Sequence, residues 1–440
     1  MSMRRFLKML EQDGQLCSVT GPVARNLEAA AILKAMEPQP MLLETVSGSG
    51  FPVAGNLCCS KAAVASYFGL QASGLIPYLL MAMQNPAPCP IVSDAPCQEV
   101  VETVPNLDQL PILFHCVKDG GNYISSGLMI AKHPVYGQNL DYHRMMQISP
   151  TEMAVRVVKN RHFDTYLREA GSLDVAVCIG NPPNLMLAAG ISIGLGQNEL
   201  EIASALEEVS LVRALSVDLL VPADCEFVLE GTVYYDRRHS EGPFVDLTET
   251  YDVVRDEPVF EVKTITRRKD AIWQALLPGG LEHKMLMGTP REPTIFQKVN
   301  EVTRCLDVNI TPGGCSWLHA IVQINKQSED DGKKAIHAAF AGHSSLKHVA
   351  IVDKDIDIYD PAQVEWALAT RFQADRDLVL MPRQTGSSLD PSAEPGSHLT
   401  SKVGFDLTCP LMTAGKSFTR AEYPAVDLRR FPHLQKRKQP

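Results

Sequence analysis

Apolar positions recur at helical spacing over Met3–Gln12 and Asn26–Met36, so both stretches read as amphipathic helices. Met41–Val46 and Phe51–Ala54, on either side of an SGSG turn, read as short strands, and Ala62–Leu70 as a further helix. The chain therefore begins as an α/β unit. The Pro- and Cys-rich passage Pro86–Cys97 has the composition of a crossing between units, which places a junction near residue 105 and a first domain over 1–105.

Beyond Leu110 the pattern changes to strand-like runs. YISSGLMIAKHP, NLDYHRMMQIS and TEMAVRVV read as three strands joined by short turns, which suggests an antiparallel sheet or barrel. Phe163–Ala170 and Glu199–Val209 read as helices that interrupt it, and Val259–Thr266 as a strand that resumes it. After PGGLEHKMLMG the patterns alternate: helix over Thr294–Cys305, strand in LHAIVQI, helix over Lys333–Ala341, strand in HVAIVD, helix over Pro361–Arg371. These make a second α/β unit. Gln384–Ser401, rich in Ser, Gly and Pro, reads as a loop or mobile strap, and LQKRKQP as a basic tail.

One stretch of the β region concentrates candidate chemistry. In Glu226–Asp252, Phe227, Leu229, Val233 and Tyr235 alternate as in a half-buried strand, and Glu241 and Asp246 flank a Gly-Pro turn. A tight turn can aim both acids into one cleft. Residue types alone leave open the alternative of a solvated hairpin loop.

Composition narrows the classes. At 440 residues, 45% hydrophobic and 21% charged, the chain has room for two or three ordinary globular cores. A net charge of -10 has the wrong sign for generic nucleic-acid or anionic-membrane binding, so a small-molecule partner is expected. The eleven cysteines include no CxxC pair, which fits a reducing cytoplasm, and the apolar run Leu75–Met83 is too short to span a bilayer. The acids of VDKDIDIYD do not make a calcium loop: the sixth and twelfth positions, Ile358 and Val364, lack the required glycine and glutamate. Gly279, Gly280 and Gly288 lack the strand-GxGxxG-helix context of a dinucleotide site, no HExxH occurs, and His283 and His319 read as structural.

Several separate motifs in register carry a resemblance. NLDYHR, then His162, NELEIASAL, VPADCEFVLEG and SEGPFVD resemble the UbiD family of prenylated-FMN-dependent decarboxylases. The similarity extends from GPVARNLEAAAIL through LPILFHCVKDGGNYISSGLMI to TRFQADRD and TSKVGFDLT. The implied fold class is a multidomain α+β protein: an N-terminal α/β domain (1–105), a central split β-barrel flavin-binding domain (106–305) and a C-terminal α/β oligomerisation domain with tail (306–440).

The resemblance also implies a site. Asn139, His162 and Glu199 would ligate a divalent cation, Mn2+ or another, that bridges to the flavin phosphate. Oxygen donors with one imidazole suit such an ion, and Glu201 is a close rival to Glu199. Tyr142, His143, Arg144, Arg156, Val157, Val158, Arg161 and His162 would line the cofactor, Lys402 would meet its phosphate, and K+ is a further candidate ion. Taken as residues alone, Arg156 and Arg161 read equally well as strand-face charges.

Arg144, Glu241 and Asp246 would form the acid-base network, with Arg144 holding the substrate carboxylate and Asp246 returning the proton. Val245 departs from the family, which commonly has glycine there, and a β-branched residue resists positive φ, so a reshaped turn is expected. The implied activity is reversible, non-oxidative decarboxylation of an aromatic, heteroaromatic or α,β-unsaturated acid. A homo-oligomer, dimer or hexamer, and a flavin prenyltransferase as cofactor supplier go with it. The competing readings are a non-catalytic flavin carrier and a metal-dependent hydrolase.

Overall fold

The computed structural model describes residues 2–412, 418, 420–421 and 423–431. The tail LQKRKQP lies outside them. Met3–Gln12 is a helix because Met3, Phe6, Leu7 and Leu10 fall on one face, and that face is buried. A four-stranded sheet follows: Cys17–Ala24 runs parallel to Met41–Ser47, which pairs antiparallel with Val53–Gly55. Its fourth strand, Trp273–Gln274, comes from far down the chain and ties this unit to the middle of the protein. One apolar core runs through both, joining Leu33, Leu43 and Val53 to Val175, Phe227 and Trp273.

The middle of the chain builds a nine-stranded sheet. Its path runs Tyr123–Ile124, Met145–Gln147, Glu152–Val155, Arg255–Arg267, Phe227–Glu241, Ser172–Ile179, Leu128–His133 and Gly137–Tyr142, with Val100–Glu102 added to Arg255–Arg267. All these pairings are antiparallel. The last strand of the path and the second are joined in sequence by His143 and Arg144 alone. Laid flat, those strands would lie about 29 Å apart, whereas three peptide steps reach about 11 Å. The sheet must therefore curl on itself, and the barrel stays split where Gly137–Tyr142 approaches Met145–Gln147. Arg144 sits at that seam.

The third unit is a five-stranded sheet in the order Cys305–Ile310, His319–Ile324, His348–Asp353, Leu399–Asp406, Leu378–Thr385. Helices Glu292–Asn300 and Asp331–Gly342 pack on it through Ile295, Val299, Ile336 and Phe340. Pro361–Arg371 joins a separate core with Ile321, Ala350 and Val352. Gly404 permits the close approach, since a Cβ there would lie 2.2 Å from Ile336 Cγ2.

Four expectations need correction. YISSGLMIAKHP is two strands, Tyr123–Ile124 and Leu128–His133, which lie near opposite ends of the sheet path. NLDYHRMMQIS is two strands broken at His143–Arg144, because the seam intervenes. The helix expected over Thr294–Cys305 stops at Asn300, whose side-chain oxygen accepts from the Cys305 N–H at 3.1 Å as the next strand begins. Gln384–Ser401 is a loop only over 386–398: its ends belong to the strands Leu378–Thr385 and Leu399–Asp406. Between them, Trp317 Nε1 donates to Ser387 Oγ at 3.0 Å and Lys347 pairs with Asp390 at 2.9 Å. Among the described residues no single helix is long and apolar enough to cross a membrane. All eleven cysteines are free.

Candidate active site

The Phe227–Glu241 strand delivers Glu241 to the barrel seam and ends at Gly242–Pro243. Gly242 takes the left-handed conformation (φ 101°), which is where this turn needs glycine. Phe244–Val245 then pairs with Tyr251–Asp252 in a short ladder, Val245 opposite Tyr251. Val245 is therefore extended and buried, a conformation that suits a β-branched side chain. The reshaping expected at this position is not needed.

The seam and the turn bring Arg144, Glu241 and Asp246 together. Arg144 donates from Nε and Nη2 to the two oxygens of Glu241, at 2.9 and 3.0 Å, a fork that fixes the guanidinium plane. Glu241 is 0% exposed and also accepts from the Tyr123 hydroxyl at 3.0 Å. Arg144 Nη2 donates to Asp252 at 3.0 Å, and Nη1 reaches Asp246 at 3.4 Å, the longest of these contacts. The Asp246 side chain is 21% exposed, more than either other acid. Burial alone would lower the Arg144 guanidinium, but its bonds to Glu241 and the charges of Asp246 and Asp252 hold it above its ordinary value.

Sequence reasoning missed Asp252, Tyr123 and Phe244. Asp252 is held below the usual carboxylate range: burial opposes ionisation, but Arg255 and Arg144 outweigh it. Phe244 stacks on Tyr123 at 3.9 Å and lies under the Arg144 guanidinium at 5.3 Å. The signal was the ladder: Asp252 faces Phe244 across a hairpin whose turn was already of interest. His283 also belongs here. Its Nδ1 accepts from the Gly279 N–H at 3.1 Å, and burial lowers it while the Asp246 charge opposes that lowering.

The other expected residues fall into three groups. Arg156 donates to Glu257 at 3.0 Å and lies 3.9 Å from Asp252, and the Val157 N–H reaches Glu257 at 3.3 Å. His143 meets the Arg156 carbonyl and the Asp141 carboxylate, each at 2.9 Å, while Tyr142 turns its hydroxyl to the Met186 carbonyl. Val158 is exposed.

Asn139 and Glu199 form the second group. Asn139 Nδ2 donates to Glu199 Oε1 and the Leu140 N–H to Oε2, both at 3.0 Å, leaving Asn139 Oδ1 buried without a hydrogen bond. Burial pushes the Glu199 carboxyl up to about 8. A cation would offset that cost, so this pair fits one. His162 opens the helix His162–Ala170 and is half-buried. Among the described residues no group of three or more His, Cys, Asp and Glu gathers to hold a metal.

Arg161 and Lys402 lie on the third unit's side. Lys402, buried, donates to the Ser344 carbonyl, and burial lowers its ammonium. His343 is pushed down to about 3 by burial and by the charges of Arg291, Lys402 and Arg161. These cations pair with no carboxylate among the described residues, so the cluster suits an anion.

A split antiparallel barrel between two α/β units, with a clamped arginine among acids at its seam, defines a class of multidomain carboxy-lyases. Models of the 3-octaprenyl-4-hydroxybenzoate carboxy-lyase N-terminal, Rift-related and C-terminal domains match residues 7–83, 91–281 and 284–407. The chain belongs to this UbiD family. It is 42% identical over 422 residues, 94% of this chain and 98% of the relative, to the anhydromevalonate phosphate decarboxylase of Methanothermobacter thermautotrophicus. Among solved structures it resembles the UbiD-class enzyme HmfF from Pelotomaculum thermopropionicum in complex with FMN (TM-score 0.94, 35% identity, 98% of this chain and 100% of that one). An evolved dimeric form of HmfF in complex with prFMN gives a TM-score of 0.90 at 34% identity, over 98% of this chain and 99% of that one.

Proposed function

We propose that this carboxy-lyase removes CO2, reversibly and without oxidation, from an α,β-unsaturated acid that carries a phosphate, using prenylated FMN. The substrate is narrower than the aromatic, heteroaromatic or unsaturated acids the motifs admit. The name of the 42%-identical relative, anhydromevalonate phosphate decarboxylase, supports it.

The observation that carries the chemistry is the clamp on Arg144. Nε and Nη2 are committed to Glu241 and Asp252, and only Nη1 keeps a long contact, to Asp246. A substrate carboxylate approaching Arg144 competes with Asp246 for Nη1. Asp246, freed from the guanidinium and partly open to solvent, from which it takes up a proton, is the acid placed to return that proton to the carbon from which CO2 departs. Glu241 keeps the guanidinium plane fixed meanwhile. When bound, prenylated FMN supplies the electron sink that side chains lack, because the electron pair left on an sp2 carbon lies outside the π system.

Tyr142, His143, Arg156, Val157, Val158 and His162 line the flavin in this reading, and Arg161 and Lys402 face its phosphate. Asn139, His162 and Glu199 hold a divalent cation, Mn2+ or another; the buried, unbonded Asn139 Oδ1 supports this. A flavin prenyltransferase supplies the cofactor, and the chain works as a homo-oligomer.

The test is protein co-expressed with a flavin prenyltransferase, given phosphorylated and unphosphorylated unsaturated acids and aromatic acids, with CO2 release and deuterium uptake measured. Release from the phosphorylated acid above the others is expected. Bound flavin with no release from any acid favours the carrier, and absence of bound flavin refutes the reading.

A further inference from the structure

Three buried side-chain atoms on one short stretch lack hydrogen bonds. Asn139 and Asp141 stand two positions apart, and so on the same side, in the strand Gly137–Tyr142, and His143 follows at the same interval just past its end. Asn139 is 3% and His143 7% exposed. Asn139 Oδ1, Asp141 Oδ1 and His143 Nε2 are each buried with no hydrogen-bond partner among the described residues. Asp141 Oδ1 and His143 Nε2 are 2.9 Å apart, but the oxygen lies off the axis of the ring nitrogen, so neither satisfies the other. Burying three such atoms in one place costs free energy unless something else meets them.

The other ring nitrogen narrows what that is. His143 Nδ1 lies 2.9 Å from the Arg156 carbonyl oxygen, which can only accept, so Nδ1 carries a proton. When neutral, the ring then presents a bare lone pair at Nε2. A ring N–H given to a backbone carbonyl, with the second nitrogen left bare, is how metal-ligating histidines are held. The spacing fits as well. Two ligands about 2.1 Å from one ion and at right angles stand about 3 Å apart, each well off the other's axis. The alternative is an imidazolium–carboxylate pair, in which burial lowers the ring's proton affinity and the Asp141 charge more than offsets it. The off-axis oxygen argues against it.

We infer that Asn139 Oδ1, Asp141 Oδ1 and His143 Nε2 are ligands of one divalent cation. This deepens the cation site proposed above, on which it rests for Asn139, by adding two ligands from the same stretch of chain. Two oxygens and one imidazole nitrogen suit Mn2+ and comparable ions. Asn139 Nδ2 donates to Glu199 Oε1 at 3.0 Å, and that bond fixes the oxygen as the free end of the amide. Arg144 follows His143 directly, and its carbonyl accepts from the Arg156 N–H at 3.0 Å. The ion therefore braces the stretch of backbone that carries the clamped arginine.

The test uses the full-length chain, stripped of metal by chelation and titrated with Mn2+, with the free ion read by electron paramagnetic resonance. Asp141→Asn and His143→Gln each weaken Mn2+ binding by about 100-fold or more, beyond the roughly 10- to 100-fold of a change outside the ligand set. Spin-echo modulation from directly bonded 14N, present in the wild type, falls in His143→Gln. Asp141→Asn is nearly isosteric and carries the test if His143→Gln fails to fold. Smaller losses with the modulation intact overturn the ligand assignment. So does Mn2+ affinity unchanged in Asp141→Asn alongside a lower melting temperature of the metal-free variant, the signature of an ion pair alone. Wild-type protein that takes up no Mn2+ overturns the cation reading as a whole, whereas Mn2+ lost in Glu199→Gln but kept in both strand variants overturns only this inference.

Discussion

Glu199→Gln offers a prediction whose size follows from the structure. Glu199 is 3% exposed and its carboxyl stands at about 8 against an ordinary 4.5. A buried carboxyl raised in this way favours the folded state below its unfolded value. That advantage is lost as pH rises from 4.5 to 8, an effect on the order of 5 kcal/mol at the upper limit. Glutamine keeps the shape, carries no proton to lose, and can be satisfied. Its oxygen accepts from the Leu140 N–H, and its amide donates to the Asn139 Oδ1 that now lacks a bond, once the Asn139 amide turns over. The assay is thermal melting of cation-free protein from pH 5 to 8.5. The wild type should lose several degrees across that range while Glu199→Gln stays nearly flat, the two converging at the acid end. Adding Mn2+ at pH 8 should raise the wild-type melting temperature and leave the variant unmoved. Parallel melting curves over the whole range would show that Glu199 is not a buried neutral acid, and an equal Mn2+ response would remove it from the cation site.

Asp246→Asn should abolish turnover while flavin stays bound, because the lost step is proton delivery; flavin loss, read by absorbance, would make Asp246 structural. Arg144→Lys should lower kcat/KM by about 100-fold or more, since one ammonium cannot replace a fork that serves both Glu241 oxygens; near-normal kinetics would refute the clamp. Val245→Gly should destabilise the fold by about 1–3 kcal/mol without raising activity, because the position is extended and buried; a gain in kcat would show that the turn needs glycine there.

The sequence made the acid network legible because its members sit in motifs that survive as short strings: Arg144 in NLDYHR, Glu241 and Asp246 in SEGPFVD. Met3–Gln12 was legible because its apolar period is clean, and Pro361–Arg371 because Asp360 and Pro361 mark its start. Asp252 was not, because its role depends on a cross-strand neighbour that only register supplies. The edge strand Leu378–Thr385 escaped because it is largely exposed and carries Pro382, which reads as loop until its neighbour Leu399–Asp406 is in place.

The seam explains why these parts meet. A barrel that closes by a two-residue link between opposite ends of its sheet has nowhere to send the linking side chains except along the split. His143 and Arg144 point there because of the fold's geometry, before any chemistry is asked of them. A guanidinium so placed is buried, and burial demands compensating charge. Glu241 satisfies the Nε–Nη2 edge from the end of its strand, and Asp252 takes a third contact, at Nη2, from the hairpin ladder. What remains is one guanidinium edge, facing the least buried acid across the longest contact. Stability therefore fixes all of Arg144 except the edge a substrate carboxylate can take, and Asp246 is both the group that occupies that edge and the group freed when it is taken.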